Sequence, residues 1–133
     1  MEPTESDIIE YFNNVIMADK PFYKVYEMSN PASPEKPLKL VYRTRSDSEA
    51  SQVAALVETN DELTPILRIK LIDNANLSFS LVQFGETEYD KGTLDERLKK
   101  LEEVQAHKKG LMWDYLNEFE NYSNTIRELH RNF

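Results

Sequence analysis

Cysteine is absent from the 133-residue chain, which removes disulfides, thiolate nucleophiles and thiolate metal sites together. Glycine is scarce, at three residues. That is too few for a phosphate-cradling loop, and the sequence holds no GxSxG, P-loop or GxGxxG pattern. No apolar run approaches the roughly 20 residues of a membrane span. Positive charge is in the minority, with 16 Lys and Arg against 24 Asp and Glu for a net charge of -8. Such a chain is repelled by phosphate backbones and anionic membranes, so neither nucleic acid nor membrane is an expected partner. The N-terminal MEPTESDIIEYF is acidic and lacks a signal-peptide pattern, so a soluble protein acting where it is made is expected.

What is present suffices for one domain with a modest core. Apolar residues make up 40% of the chain, including six Phe, seven Tyr and one Trp, and the length suits a single domain over residues 1–133. Residues 6–18 read as an amphipathic helix, with Ile8, Ile9, Phe12, Val15 and Ile16 at helical spacing and Thr4 or Ser6 as cap. Asp19-Lys20-Pro21 ends it, because the residue before proline is pushed out of the α region. FYKVYEM (22–28) and LKLVYRT (38–44) are aromatic, β-branched and partly alternating, and a proline-rich loop joins them. They predict an antiparallel hairpin.

A helical part over residues 46–133 is expected to follow this helix-plus-hairpin part (1–45). Ser46-Asp47-Ser48-Glu49 is a capping box that opens a helix running to about Asn60. Residues 63–84 are ambiguous. LRIKL and LSFSL alternate as strands do, yet Leu63-Thr64-Pro65 also starts a leucine-rich helix with proline in its first turn. Residues 85–92 are acidic and turn-like. Thr93 caps a helix bearing Leu94, Leu98, Leu101 and Val104, and a break is expected at 106–110 before the last helix. The fold class is therefore α+β and mainly helical, with a two-stranded hairpin.

Residues that signal chemistry are few. His107 and His130 stand 23 positions apart without carboxylates at metal-ligand offsets, so solvated histidines are the expectation. Glu86-Thr87-Glu88-Tyr89-Asp90 lacks the spaced pattern of an oxygen cage, and a solvated acidic loop is expected in place of a calcium site. Arg43 and Arg45 suit either an internal ion pair or a grip on a partner's carboxylate. No catalytic residue, metal or cofactor is assigned.

The most patterned stretch is the last. Met112, Tyr115, Phe119, Tyr122, Ile126, Leu129 and Phe133 recur at steps of three and four, with Trp113 and Leu116 widening the stripe. Most such helices cover their own core. From Leu111 to Phe133, however, the helix would be about 35 Å long at 1.5 Å per residue, long for this body. Contact with another protein by at least part of it is expected.

Taken in order, the segments resemble a known class. After the short first helix come KPFYKVYEM, PLKLVYRTRSDSEASQV, NLSFSLVQFG, GTLDERLKKLEEV and WDYLNEFENYSNTIREL. This order is similar to that of small tail-assembly proteins of tailed bacteriophages, of the tail assembly chaperone type. There an extended segment precedes a strand-to-helix step of the form "l.fRt.t..E", and a leucine-rich helix and two further helices follow. The long loop at 29–37 and QAHKKG depart from that pattern. The resemblance implies that residues 63–84 are helix and that the chain is not an enzyme. It implies a protein that coats apolar helical stretches of a tape-measure-type tail protein in the host cytoplasm. Ile8, Phe12 and Ile16 would then join the stripe from Met112 to Phe133 as contact residues, with an oligomer or larger assembly as setting. A structural component of the connector, tail or baseplate, retained in the virion, is the alternative reading. A small acidic inhibitor that mimics nucleic acid is the third, though its carboxylates would have to line one face.

Overall fold

The computed structural model describes residues 2–131. The chain begins with α1 (Glu5–Tyr11), whose cap is Thr4: its hydroxyl accepts the Asp7 N–H at 3.1 Å. Glu5 and Asp7 occupy the positive first turn. At Phe12 the winding loosens into a π-helical segment, Phe12–Met17, and Asp19 then turns the chain in the left-handed region at φ 52°. Apolar spacing located this helical stretch but not its change of pitch.

Strands β1 (Tyr23–Met28) and β2 (Leu38–Arg43) pair antiparallel, with Tyr23 opposite Arg43 and Met28 opposite Leu38. Helix α2 (Asp47–Thr59) opens on the Ser46/Glu49 capping box. Helix α3 (Pro65–Ser80) carries its proline in the first turn and is capped by Thr64. The chain then becomes extended as β3 (Leu81–Phe84) and β4 (Thr87–Glu88). Gly85 turns between them at φ 62°, a conformation that suits glycine, and its N–H donates to the Lys39 carbonyl at 2.7 Å. Helix α4 (Leu94–Glu102) begins at Thr93, and α5 (Ala106–Arg131) closes the described chain.

The fold is α+β and mainly helical, as the sequence predicts. Three expectations need correction. The hairpin is part of a four-stranded antiparallel sheet, ordered β1-β2-β3-β4. The helix expected over 63–84 stops at Ser80, because Leu81 and Phe84 are buried beside Tyr42 and Leu40 on the sheet. Finally, α5 runs through Gly110 without a break. A glycine inside a helix costs about 1 kcal/mol relative to alanine, which a 26-residue helix with a buried face tolerates.

Helix α5 lies across one face of the sheet. Its Met112, Leu116, Phe119, Tyr122 and Ile126 are buried together with Tyr11, Phe22, Leu40, Tyr42, Leu77 and Leu81. The Phe119 ring stacks between Phe22 (6.2 Å) and Tyr42 (6.0 Å), and the Tyr42 hydroxyl donates to the Met112 carbonyl at 2.6 Å. A smaller core of Val53, Ala75, Phe79 and Leu98 joins α2, α3 and α4.

Removing residues after Gly110 is therefore expected to unfold the chain, with loss of near-ultraviolet circular dichroism, rather than leave a folded remainder. Leu116→Ala should lower unfolding free energy in urea by about 2–5 kcal/mol. A folded, cooperative truncated protein would contradict this account of the core.

Candidate partner-binding surfaces

The fold divides the ten residues expected to meet a partner. Met112, Phe119, Tyr122 and Ile126 are all at most 5% exposed and belong to this chain's own core. The expectation that they face a partner is thus corrected. A stripe at steps of three and four looks the same whether it covers its own sheet or another chain, and here it covers its own. Tyr115 is half-buried, with its ring 5.5 Å from Tyr26. Leu129 remains open to solvent at 36%. Phe133 lies outside the described residues.

The N-terminal segment behaves differently. Ile8 is half-buried and leans on the main core. Ile9, Phe12, Ile16 and Met17 are 40–68% exposed. The first three follow one another at helical spacing, so they form one apolar ridge. Its neighbour is the end of α5: the His130 ring lies 5.3 Å from Phe12 and stacks on Tyr11, and its Nε2 is 3.2 Å from the Ile8 carbonyl oxygen. Leu129 precedes His130, which brings a further apolar side chain to this end of the molecule.

Polar contacts hold the ridge's helix in place. The Tyr122 hydroxyl donates to the Asp7 carboxylate and accepts the Thr4 N–H at 3.2 Å. Lys24 Nζ donates to the same carboxylate at 3.1 Å and sits 4.4 Å over the Tyr122 ring. Burial opposes the charge on Asp7. The hydrogen bonds from Tyr122 and Lys24, with the lysine's charge, outweigh it and hold the carboxyl below its ordinary value of 3.8.

A second apolar surface was not singled out from the sequence. On the first turns of α3, Ile66, Leu67 and Ile69 are 70%, 49% and 58% exposed. Beside them a shallow groove of about 340 Å³ is lined by Leu63, Leu67, Leu71 and Leu98, with Lys70 and Lys109 among its polar walls. The signal was available in PILRIKLI. Apolar residues there occupy every side of the helix, so some of them cannot reach a core.

The residues considered for chemistry are occupied elsewhere or stand apart. Arg43 pairs with both carboxylate oxygens of Glu49, and Arg45 reaches Glu120 at 2.9 Å. The two guanidiniums therefore tie β2 and the following residues to α2 and α5. His107 is exposed in the first turn of α5. Within the acidic loop Tyr89 is buried, and Arg97 donates to the Asp90 carbonyl at 2.7 Å. Among the described residues no group of three or more His, Asp or Glu side chains is placed to hold a metal ion, and no helix is long and apolar enough to cross a membrane. Comparison with protein-family models, curated proteins and solved structures found no significant match.

The electrostatics give a pH signature. Asp7 is held below 3.8 and Glu49 below its ordinary 4.5, the latter through Arg43 and Ser46 against the cost of burial. Each contributes stability that is present above those ordinary values and is lost as pH falls below them. Urea midpoints should thus drop on acidification below about pH 4.5, and Asp7→Asn should reduce the part of that drop that occurs below 3.8. An acid profile unchanged in the variant would remove Asp7 from this role.

Proposed function

We propose that this chain is a non-enzymatic bacteriophage assembly protein of the tail assembly chaperone type. It holds apolar helical stretches of a tape-measure-type tail protein until the tail polymerises around them. The observation that carries the reading is the ridge of Ile9, Phe12, Ile16 and Met17, open to solvent on a chain of net charge -8. Contiguous exposed apolar side chains are a liability unless another surface covers them. An amphipathic helix from a partner fits such a ridge through anchors at steps of three and four. Acidic residues in the same segment, Glu5, Glu10 and Asp19, keep the uncovered form soluble.

Support comes also from the step between β2 and α2. Arg43 and Glu49 are two residues on which the resemblance to tail assembly proteins rests, and they hold each other across that step at 2.9 Å. The spacing between them has a physical reason here: Glu49 caps α2 and neutralises the arginine at the end of β2.

The test combines composition with binding. In quantitative mass spectrometry, the protein is expected in the infected-cell lysate and absent from purified particles. It should co-purify with the tape-measure-type protein when the two are co-expressed. The double variant Ile9→Asp, Ile16→Asp should lose at least tenfold in that affinity while unfolding at nearly the wild-type urea concentration, because both side chains are about half exposed and pack on neither core. A fixed stoichiometry in the mature particle would overturn the reading in favour of a structural component.

A further inference from the structure

Two apolar surfaces stay open on this chain, and they lie at opposite ends of α5. The N-terminal ridge sits at the C-terminal end, where Phe12 meets the His130 ring at 5.3 Å. The groove beside α3 sits at the other end, where Lys109 is one of its walls. Residues 109–130 of one continuous helix separate the two by about 32 Å at 1.5 Å per residue. Contacts from Asp7 to Tyr122 and Lys24 tie the ridge in place. A chain therefore cannot lay its own ridge in its own groove, but it can offer that ridge to the groove of another copy.

The two surfaces match in shape. Leu67 and Leu71 stand one turn apart on α3, and Leu98 of α4 lines the same groove. Leu71 and Leu98 continue into the smaller core, which fixes the floor. A furrow between two helices takes side chains that project at steps of three and four from a third, as Ile9, Phe12 and Ile16 do.

They also match in charge. The groove's walls carry Lys70 and Lys109 against Glu102, a net positive charge on a chain of net charge -8. Neither lysine makes an ion pair among the described residues. Residues 2–19, by contrast, hold Glu2, Glu5, Asp7, Glu10 and Asp19 and no Lys or Arg. Asp7 is engaged with Lys24, while Glu5 and Glu10 are exposed on the ridge's own helix.

We propose that the N-terminal ridge of one copy docks in the α3 groove of a second copy. Charge selects this pairing over the two alternatives. Ridge against ridge sets acidic segments together, and groove against groove sets lysines together, so both are repulsive. Ridge in groove brings Glu5 and Glu10 toward lysines without a partner in their own chain. A reciprocal pair closes with two such contacts, whereas a single contact leaves one ridge and one groove free for further copies. The contact stands independently of the tape-measure reading. Where that reading also holds, the second copy and the partner helix compete for one ridge, and this consequence alone rests on it.

Two variants of the full-length chain test the contact. Ile9→Asp, Ile16→Asp spoils the ridge. Leu67→Asp spoils the groove, at a half-exposed site in the first turn of α3 where a carboxylate suits the helix dipole. Urea midpoints near that of the wild type establish that both are folded. In sedimentation at up to about 1 mM chain, the wild type should associate and each variant alone should stay a monomer. Mixed one to one, the variants should form a dimer and nothing larger, because each pair holds one intact ridge and one intact groove. Lys70→Glu, Lys109→Glu should raise the concentration needed for association at least tenfold. A wild type that sediments as one chain throughout overturns the proposal, and so does a mixture that stays monomeric. Association lost in the ridge variant but kept in Leu67→Asp also overturns it, in favour of ridge on ridge. The partner reading is judged apart. Leu67→Asp keeps its ridge and should co-purify with the tape-measure-type protein at least as well as the wild type. Failure of both to co-purify removes that reading and leaves the contact between copies standing.

Discussion

Apolar contact between α5 and the inner face of the sheet organises the main core, to which α2 and α4 attach through α3. Phe119 is the centre of that contact, with the Phe22 and Tyr42 rings stacked on it. Tyr42 also ties its hydroxyl to the α5 backbone at Met112. With that wall in place, α1 is held at one end through Tyr122 and His130, and Arg45 reaches from the end of β2 to Glu120. The same helix thus buries its apolar stripe, anchors the N-terminal segment and receives an arginine, leaving little of that stripe free for another protein.

This division of labour explains which parts of the molecule were legible in the sequence. Local signals were reliable where chemistry is local: Ser46, Thr93 and one of the two residues offered for the first helix, Thr4, cap the helices that follow them, and Pro65 opens α3. Alternation with aromatic and β-branched residues located β1 and β2. The helix over residues 81–84 was implied by the resemblance alone, whereas LSFSLVQF itself alternates as the strand Leu81–Phe84 does. Whether four residues join the helix or the sheet depends on Leu40 and Tyr42, which are distant in sequence. The break expected at 106–110 falls a few residues earlier, at 103–105 between α4 and α5, because a glycine is only a mild helix breaker when apolar side chains on both sides are already anchored.

The candidate contact residues were legible in part. Spacing identified apolar faces but not their coverage, since a buried stripe and an offered one obey the same periodicity. Phe12, Ile16 and Leu129 proved open, while Met112, Phe119, Tyr122 and Ile126 proved to be core. What separates the two sets is supply. The sheet has one inner face and α5 fills it, so the N-terminal helix and the first turns of α3 are left with apolar side chains that nothing among the described residues covers.

The π-helical segment from Phe12 to Met17 gives that N-terminal ridge an unusual dependence. A π turn is an α-helix carrying one residue more than its hydrogen bonding needs. Losing a single residue there would let the segment rewind as α-helix and re-sort which of residues 12–17 lie outward. Which side chains face outward is therefore set by a count of residues as much as by their identity. Because Val15 packs on the core that α5 lines and Phe12 lies against His130, a change in that count also reaches the contacts by which α5 holds this segment.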